Sequence, residues 1–368
     1  MITSRERIKK LLTFQEPDRI GKFDAFWEDT LTRWYAEGLS RDIPTSDQFG
    51  FDIEPIFLDA SLRLPEALLE ETDEYTIRQD KLGYTAKQWK GKSGALGYLD
   101  HAVKTREDWE QLKGRLAVDF GGTSRIHTVS YFTPFVTYPT WEEMGASFQQ
   151  LLAKERYLLL HVYGPFEATW RKHGFENSLM NLALEPDLIA DMAEAHVDVT
   201  IATLEKAREY GIVPDGLFMV EDLGMNTGML FSPASYEQVL FPAHRRLGEY
   251  LHRHGITYFI HTDGDVRRVI PRLIDAGVQV LQPLEAKSHL DVRLLKQEYG
   301  KDLVFFGNID VRAMSGTKAE LEAEVRSKLE VVMRGGGYIY HSDHSVPPTV
   351  SLENYRSLMT LLDQYGQY

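Results

Sequence analysis

The chain is 368 residues long and carries 41 basic against 55 acidic side chains, a formal charge of −14, with no cysteine. That balance repels a nucleic-acid backbone or an anionic membrane. The missing thiols exclude disulfides, thiolate metal ligands and thiol nucleophiles, so any metal must be held by His, Asp, Glu or backbone oxygen.

In chain order, Thr3 with Glu6 gives a capping-box signature, Ile8, Leu11 and Leu12 share one face, and the helix they predict should stop before Pro17. The opening MITSRERIKKLL lacks the continuous apolar core of a signal peptide, and no later stretch is apolar enough to span a bilayer, so a soluble cytoplasmic protein is expected. IGKFDAFW (20–27) and FDIEPIFLD (51–59) predict the first two strands. Residues 74–104 alternate and carry Gly83, Gly91 and Gly94, predicting antiparallel hairpins inserted as a side element. The segment 130–142 is rich in aromatics and prolines and reads as an ordered loop leading into a helix at about 141–154; Tyr131, Phe132, Phe135, Tyr138 and Trp141 are positioned there to roof an apolar substrate or to pack against a helix or a second subunit.

From residue 157 onward one phrase repeats: an apolar run, then polar or acidic residues, then an amphipathic helix. The runs are YLLLHVY (157–163), GLFMVED (216–222), TYFIHTD (257–263), VQVLQPLE (278–285), LVFFGNID (303–310) and GYIYHSDH (337–344). Between them, Ser232–Pro233 caps a helix that Pro242 is placed to kink, 266–276 is a helix ending at Gly277, Thr317 with Glu320 is a second capping box, and 352–364 is the last helix. Adding the two early runs gives about eight strands, the number a (β/α)8 TIM barrel needs; the expected fold is that α/β barrel over a single domain, 1–368, with an N-terminal helical extension.

In such a barrel the chemistry sits at the C-terminal mouths of the strands. One mouth then gathers Asp59, His161, Tyr163, Glu221, Asp222, His261, Asp263, Gln282, Glu285, Asn308, Asp310, His341, Asp343 and His344. Clustered ionisable groups imply a wet functional cavity; for Asp265 and Asp310 helix capping is an equal alternative. Two residues apart on an extended end, His261 and Asp263 point to the same side and can grip one ion or one substrate group. His344 completes a two-histidine, one-carboxylate set suited to zinc, Fe(II) or Co(II); the same histidine and acid also read as a hydrogen-bonded pair without metal. Glu221 or Asp343 is the expected fourth or supporting group, and His161, Tyr163, Gln282, Asn308 and His341 the expected substrate contacts.

RERIKKLLTFQEPDRI, MVEDLGMNTGMLFSPASYEQVLFPAHRRL, HTDGDVRRVIPRLIDAGVQVLQP, FFGNID and GGYIYHSDHSVPPTVSLENY together resemble the uroporphyrinogen decarboxylase superfamily, including its corrinoid-dependent methyltransferase branch. The resemblance covers nearly the whole chain and implies a (β/α)8 barrel, with a homodimer as the family expectation. The methyltransferase branch binds zinc through an H-x-C pair and a later cysteine; here His261 matches the histidine, while Asp263 and His344 stand where the two cysteines would be. Harder ligands leave a more Lewis-acidic metal, suited to polarising an ether or hydroxyl oxygen.

What this implies is transfer of a methyl group from a small methylated compound, such as an ether, to a corrinoid on a separate protein, because no stretch of this chain reads as a cobalamin domain. His261, Asp263 and His344 would hold the metal, Glu221 would complete the shell or act as base, and Asp343 would orient a histidine. The alternative within the superfamily is metal-free decarboxylation. There Asp59 in IFLDA resembles the family's aspartate and His344 its histidine, but the arginine-rich segment is missing and IGKFDAFWEDTLTRWY offers only Arg33. Hydrolase and glycosidase readings lack an early H-x-H pair and a second matched carboxylate, and a non-catalytic binding barrel would keep the pocket without turnover.

Overall fold

The computed structural model describes residues 2–94, 96–130 and 133–368. Of the aromatic loop cluster, Tyr131 and Phe132 therefore lie outside the described residues. Eight parallel strands follow one another: β1 Gly21–Lys22, β2 Ile53–Leu58, β3 Tyr157–Tyr163, β4 Gly216–Val220, β5 Thr257–His261, β6 Val280–Gln282, β7 Val304–Phe306 and β8 Tyr338–Tyr340. Their order in the sheet is β1-β8-β7-β6-β5-β4-β3-β2, and every neighbouring pair is parallel. The short strand Ile126–His127 lies antiparallel on β2.

The sheet is curled, and its two ends approach without forming a ladder. Asp52 N–H donates to Lys22 O at 2.8 Å, and the Asp52 carboxylate accepts from Lys22 N–H at 2.8 Å. Around that carboxylate gather Ser4 Oγ, Arg7 and Arg19, each at 2.7 Å. The expected run 20–27 is thus regular over only two residues. Beyond Lys22 the chain turns, because Asp24 is drawn inward by the Tyr340 and Tyr355 hydroxyls at 2.5 and 3.0 Å.

Strand alternation sends one set of side chains into the lumen. Tyr157, Leu159, Phe218, Phe259, Val280, Val304, Phe306 and Ile339 fill it, and Ile8 and Leu11 of the N-terminal helix Ser4–Leu12 plug its lower end. The Thr3–Glu6 capping box that starts this helix forms as expected, as does Thr317–Glu320 at the helix Lys318–Val332. The helix after Ser232–Pro233 is interrupted: Tyr236–Leu240 is a π turn before the helix Phe241–Arg253. Pro242 has no N–H for a regular bond, so the wider turn absorbs the missing link. The side element is larger than 74–104, being a four-stranded antiparallel sheet of Ala67–Glu71, Tyr75–Gln79, Tyr84–Trp89 and Gly97–His101. Among the described residues no helix is long and apolar enough to cross a membrane.

Candidate metal centre at the strand mouths

The H-T-D-G step after β5 builds the centre. His261 and Asp263 share the lumen side, while Thr262 between them faces out and its hydroxyl accepts Leu223 N–H at 3.0 Å. Gly264 then turns with φ +84°, pressed so closely on the backbone of Gly224 that a Cβ has no room. Its N–H donates to Glu285 at 2.8 Å, which ties the β5 loop to the β6 loop.

His261 Nε2 lies 3.5 Å from Asp222 Oδ1 and 3.7 Å from Asp263 Oδ1. On the other side His344 Nε2 lies 3.6 Å from Asp263 Oδ2, with its ring stacked on Trp27 at 5.8 Å. The three expected ligands therefore meet at Asp263 without forming one donor set. The donor atoms group as Asp222, His261 and Asp263, and as Asp263, Glu285 and His344, each group within 4.8 Å. Asp222 and Glu285 belong to the centre as ligand candidates, which their place in the motifs did not single out.

The electrostatics follow from crowding. Burial opposes a charged His261, but the carboxylates of Asp263 and Asp222 outweigh it and raise the imidazole above its ordinary value. Burial pushes the Asp263 carboxyl up; His261 pulls it down, and the like charges of Asp222 and Glu285 add to the rise. Glu285 is held below the usual range despite burial, because the Lys287 ammonium lies 2.6 Å from Oε1. That contact has the placement of an ion pair without an aligned hydrogen bond. Burial lowers His344.

Below the acids lies a ring of imidazoles and aromatics. Gln282 Oε1 accepts His261 Nδ1–H at 2.5 Å, which leaves the Nε2 lone pair facing the acids. The Gln282 amide lies 3.4 Å from the ring of His341, whose Nδ1–H donates to Ser342 O at 2.6 Å. His161 is pushed down to about 3 by burial and by the neighbouring His261 and His341, and packs 4.5 Å from Phe218 and 5.4 Å from Phe57. His161, Gln282 and His341 thus lie buried together beneath the acids. Tyr163 stands nearer the β2 side, under the Arg171 guanidinium at 4.1 Å.

Other expected residues are committed elsewhere. Glu221 is fully buried on the helix side of β4, where it accepts Phe166 N–H, Glu167 N–H and the His244 ring at 2.9, 3.0 and 2.8 Å. It caps the helix Pro165–His173 and packs into the space that Gly164 leaves by having no side chain; it is neither a ligand nor a base in this geometry. Asp343 touches neither His341 nor His344 through a hydrogen bond: its oxygens accept Val311 N–H at 2.9 Å and Ala286 N–H at 3.0 Å, stitching the loops after β6 and β7. Asn308 is fully buried, where it accepts Val292 N–H and spends both amide hydrogens on the Leu284 and Leu290 carbonyls, out of reach of a substrate. Asp59 pairs with Arg63 at 2.9 Å, beside a cavity of about 10 Å³, room for roughly one water. Asp310 caps the helix Val311–Met314 by accepting Arg312 N–H; Asp265 accepts Arg267 N–H in a turn, because the expected helix 266–276 begins only at Ile270, with Val269 as its cap.

Glu221→Ala should therefore cost stability, not metal. Loss of a buried carboxylate that serves three donors is expected to lower unfolding free energy by about 3 kcal/mol, read by urea denaturation, while metal content stays at the wild-type level. A parallel loss of metal at unchanged stability would return Glu221 to the ligand set.

A family model described as uroporphyrinogen decarboxylase (URO-D) matches residues 150–365. The uroporphyrinogen decarboxylases of Geobacter metallireducens and Geobacter sulfurreducens are each 26% identical over 129 residues, 34% of this chain and 36% of theirs. The chain thus spans about a third of the length of these curated relatives. In structure the chain is similar to a methyltransferase from Methanosarcina mazei, with TM-score 0.69 and 13% identity over 99% of both chains, a likeness of fold.

Proposed function

The chain belongs to the uroporphyrinogen decarboxylase family, and from that premise we propose that it is a methyltransferase, moving a methyl group from a small methylated substrate, such as an ether, to a corrinoid carried by a separate protein. In this reading the curled sheet is a (β/α)8 barrel with one unladdered seam. The observation that carries the reading is the meeting of His261, Asp222 and Asp263 at the mouth with Asp263 Oδ1 buried and without a hydrogen-bond partner among the described residues. A buried acceptor left bare is costly unless a cation takes it.

The donors fit a divalent ion of borderline or hard character, zinc among them, held by imidazole and carboxylate in place of thiolate. Such an ion, when bound, acts as a Lewis acid on the heteroatom that the methyl group leaves. The chain's own residues do the rest. Gln282 fixes the tautomer of His261, the floor of Phe57, His161, Phe218 and Phe306 receives an apolar body, and Trp27 holds the His344 ring.

Decarboxylation of a polycarboxylate is less well supported by the same mouth. Arg63 is bound to Asp59 and to Phe120 and Ser124 carbonyls, Arg171 to Glu167, and Arg125 to four backbone carbonyls, so these guanidiniums are already committed. The test uses untagged protein, metal analysis, and cob(I)alamin with a panel of aryl and alkyl methyl ethers. Metal-dependent growth of the methylcobalamin spectrum is expected, with His261→Ala at least about a hundredfold slower and still folded. Full activity of metal-free protein and of His261→Ala, or release of CO2 from uroporphyrinogen instead, would overturn the proposal.

A further inference from the structure

Asp263 divides the ligand candidates. Its Oδ1 faces His261 Nε2 at 3.7 Å and its Oδ2 faces His344 Nε2 at 3.6 Å. Donors bound to one ion at about 2.1 Å stand about 3.0–3.4 Å apart. Each separation is therefore close to what a cation between that imidazole and that oxygen requires. Each half also has its own second carboxylate: Asp222, 3.5 Å from His261, and Glu285, buried to 2% exposure, in the group with His344. The ions of known two-metal sites sit about 3.5–4 Å apart, a span that the two oxygens of one carboxylate can serve from either side.

The second half already holds a positive charge. Lys287 Nζ rests on Glu285 Oε1 at 2.6 Å, and its side chain, 48% exposed, reaches that place from the solvent side. The other groups facing this half are the Gly264 N–H and Ser288 hydroxyl, both on Glu285 Oε2, and Trp27 beneath His344. None of them blocks Oε1.

We propose that the mouth is a two-cation site bridged by the Asp263 carboxylate, one divalent ion between Asp222, His261 and Oδ1 and a second between Oδ2, His344 and Glu285, with Lys287 as the displaceable occupant of the second place. This rests on the reading of the mouth as a metal centre, but methyl transfer needs only the first ion, so the two can fail separately.

Metal-free full-length protein is titrated with Mn(II), with bound metal counted by equilibrium dialysis and followed by electron paramagnetic resonance. Two ions per chain are expected, the second replacing the isolated-ion spectrum with a spin-coupled one. His344→Ala should bind one ion with near wild-type affinity and give no coupled signal. Lys287→Met, a change on an exposed side chain, should tighten the second site on the order of tenfold. One ion per chain in both wild type and Lys287→Met overturns the second site and leaves the first standing; no bound ion in either overturns the metal centre altogether.

Discussion

Asp263→Ala will empty the mouth of metal and lower turnover on the order of a hundredfold or more, while the metal-free protein becomes no less stable. Both halves of the effect follow from the same geometry. Asp263 alone belongs to both donor groups, so its removal breaks each of them. Without a cation, however, its carboxylate stands among Asp222 and Glu285 with Oδ1 unpartnered. Deleting it relieves that crowding, and a gain of about 1 kcal/mol in the metal-free state is expected. Metal content and thermal unfolding with and without chelator measure the two halves. A variant that keeps its metal, or that unfolds far more readily than metal-free wild type, contradicts this account.

Asp59→Asn gives the second large effect, and on stability. Asp59 and Arg63 form a buried pair, and Arg63 in turn holds the carbonyls of Phe120 and Ser124. Neutralising one partner leaves a buried charge uncompensated, which costs about 3–5 kcal/mol. Burial works against the Asp59 carboxylate, but Arg63, the Ser61 hydrogen bond and the charges of Arg125 and Lys81 together outweigh it and hold the group at about 2, against an ordinary 3.8. The folded value is depressed, so the contribution is present above the unfolded value and is lost as pH falls through the folded one. That shift is worth about 2 kcal/mol. The gap between wild type and Asp59→Asn should therefore be full at pH 7 and shrink between about pH 4 and pH 2, as followed by urea denaturation at several pH values. Equal stability with a selective loss of turnover would restore the catalytic role expected for Asp59 from its motif.

The strands from residue 157 onward were legible because buried parallel strands read as apolar runs, and the phrase repeats at each. The first strand was not: IGKFDAFW has the composition of a strand, but Asp24 in its middle answers to Tyr340 and Tyr355, more than 300 residues away in sequence. Within the site, parity decided what could be read. His261 and Asp263 share the parity of Phe259, and Gln282 that of Val280, so their direction was available from the sequence. The same rule distinguishes Asp222, in phase with Phe218 and Val220, from Glu221, which faces the helices; two adjacent acids look alike until the phase is counted. Asn308 and Asp343 escape the rule because turns intervene, Gly307 at φ +132° before the first and the loop beyond β8 before the second. Lys287 and Arg63 stand just beyond strand phrases and meet acids two and four residues away, Glu285 and Asp59, whereas Trp27, at the end of IGKFDAFW, reaches His344 only through long-range packing.

Seen as a hoop of staves, the sheet has seven laddered joints and one clasp, the Asp52 knot between β1 and β2. The stave on one side of that clasp runs on into Trp27, on which the His344 ring rests, whereas His261 is riveted to staves on both flanks. One imidazole of the rim thus leans on the stave beside the clasp, and the other stands on a stave closed from both sides.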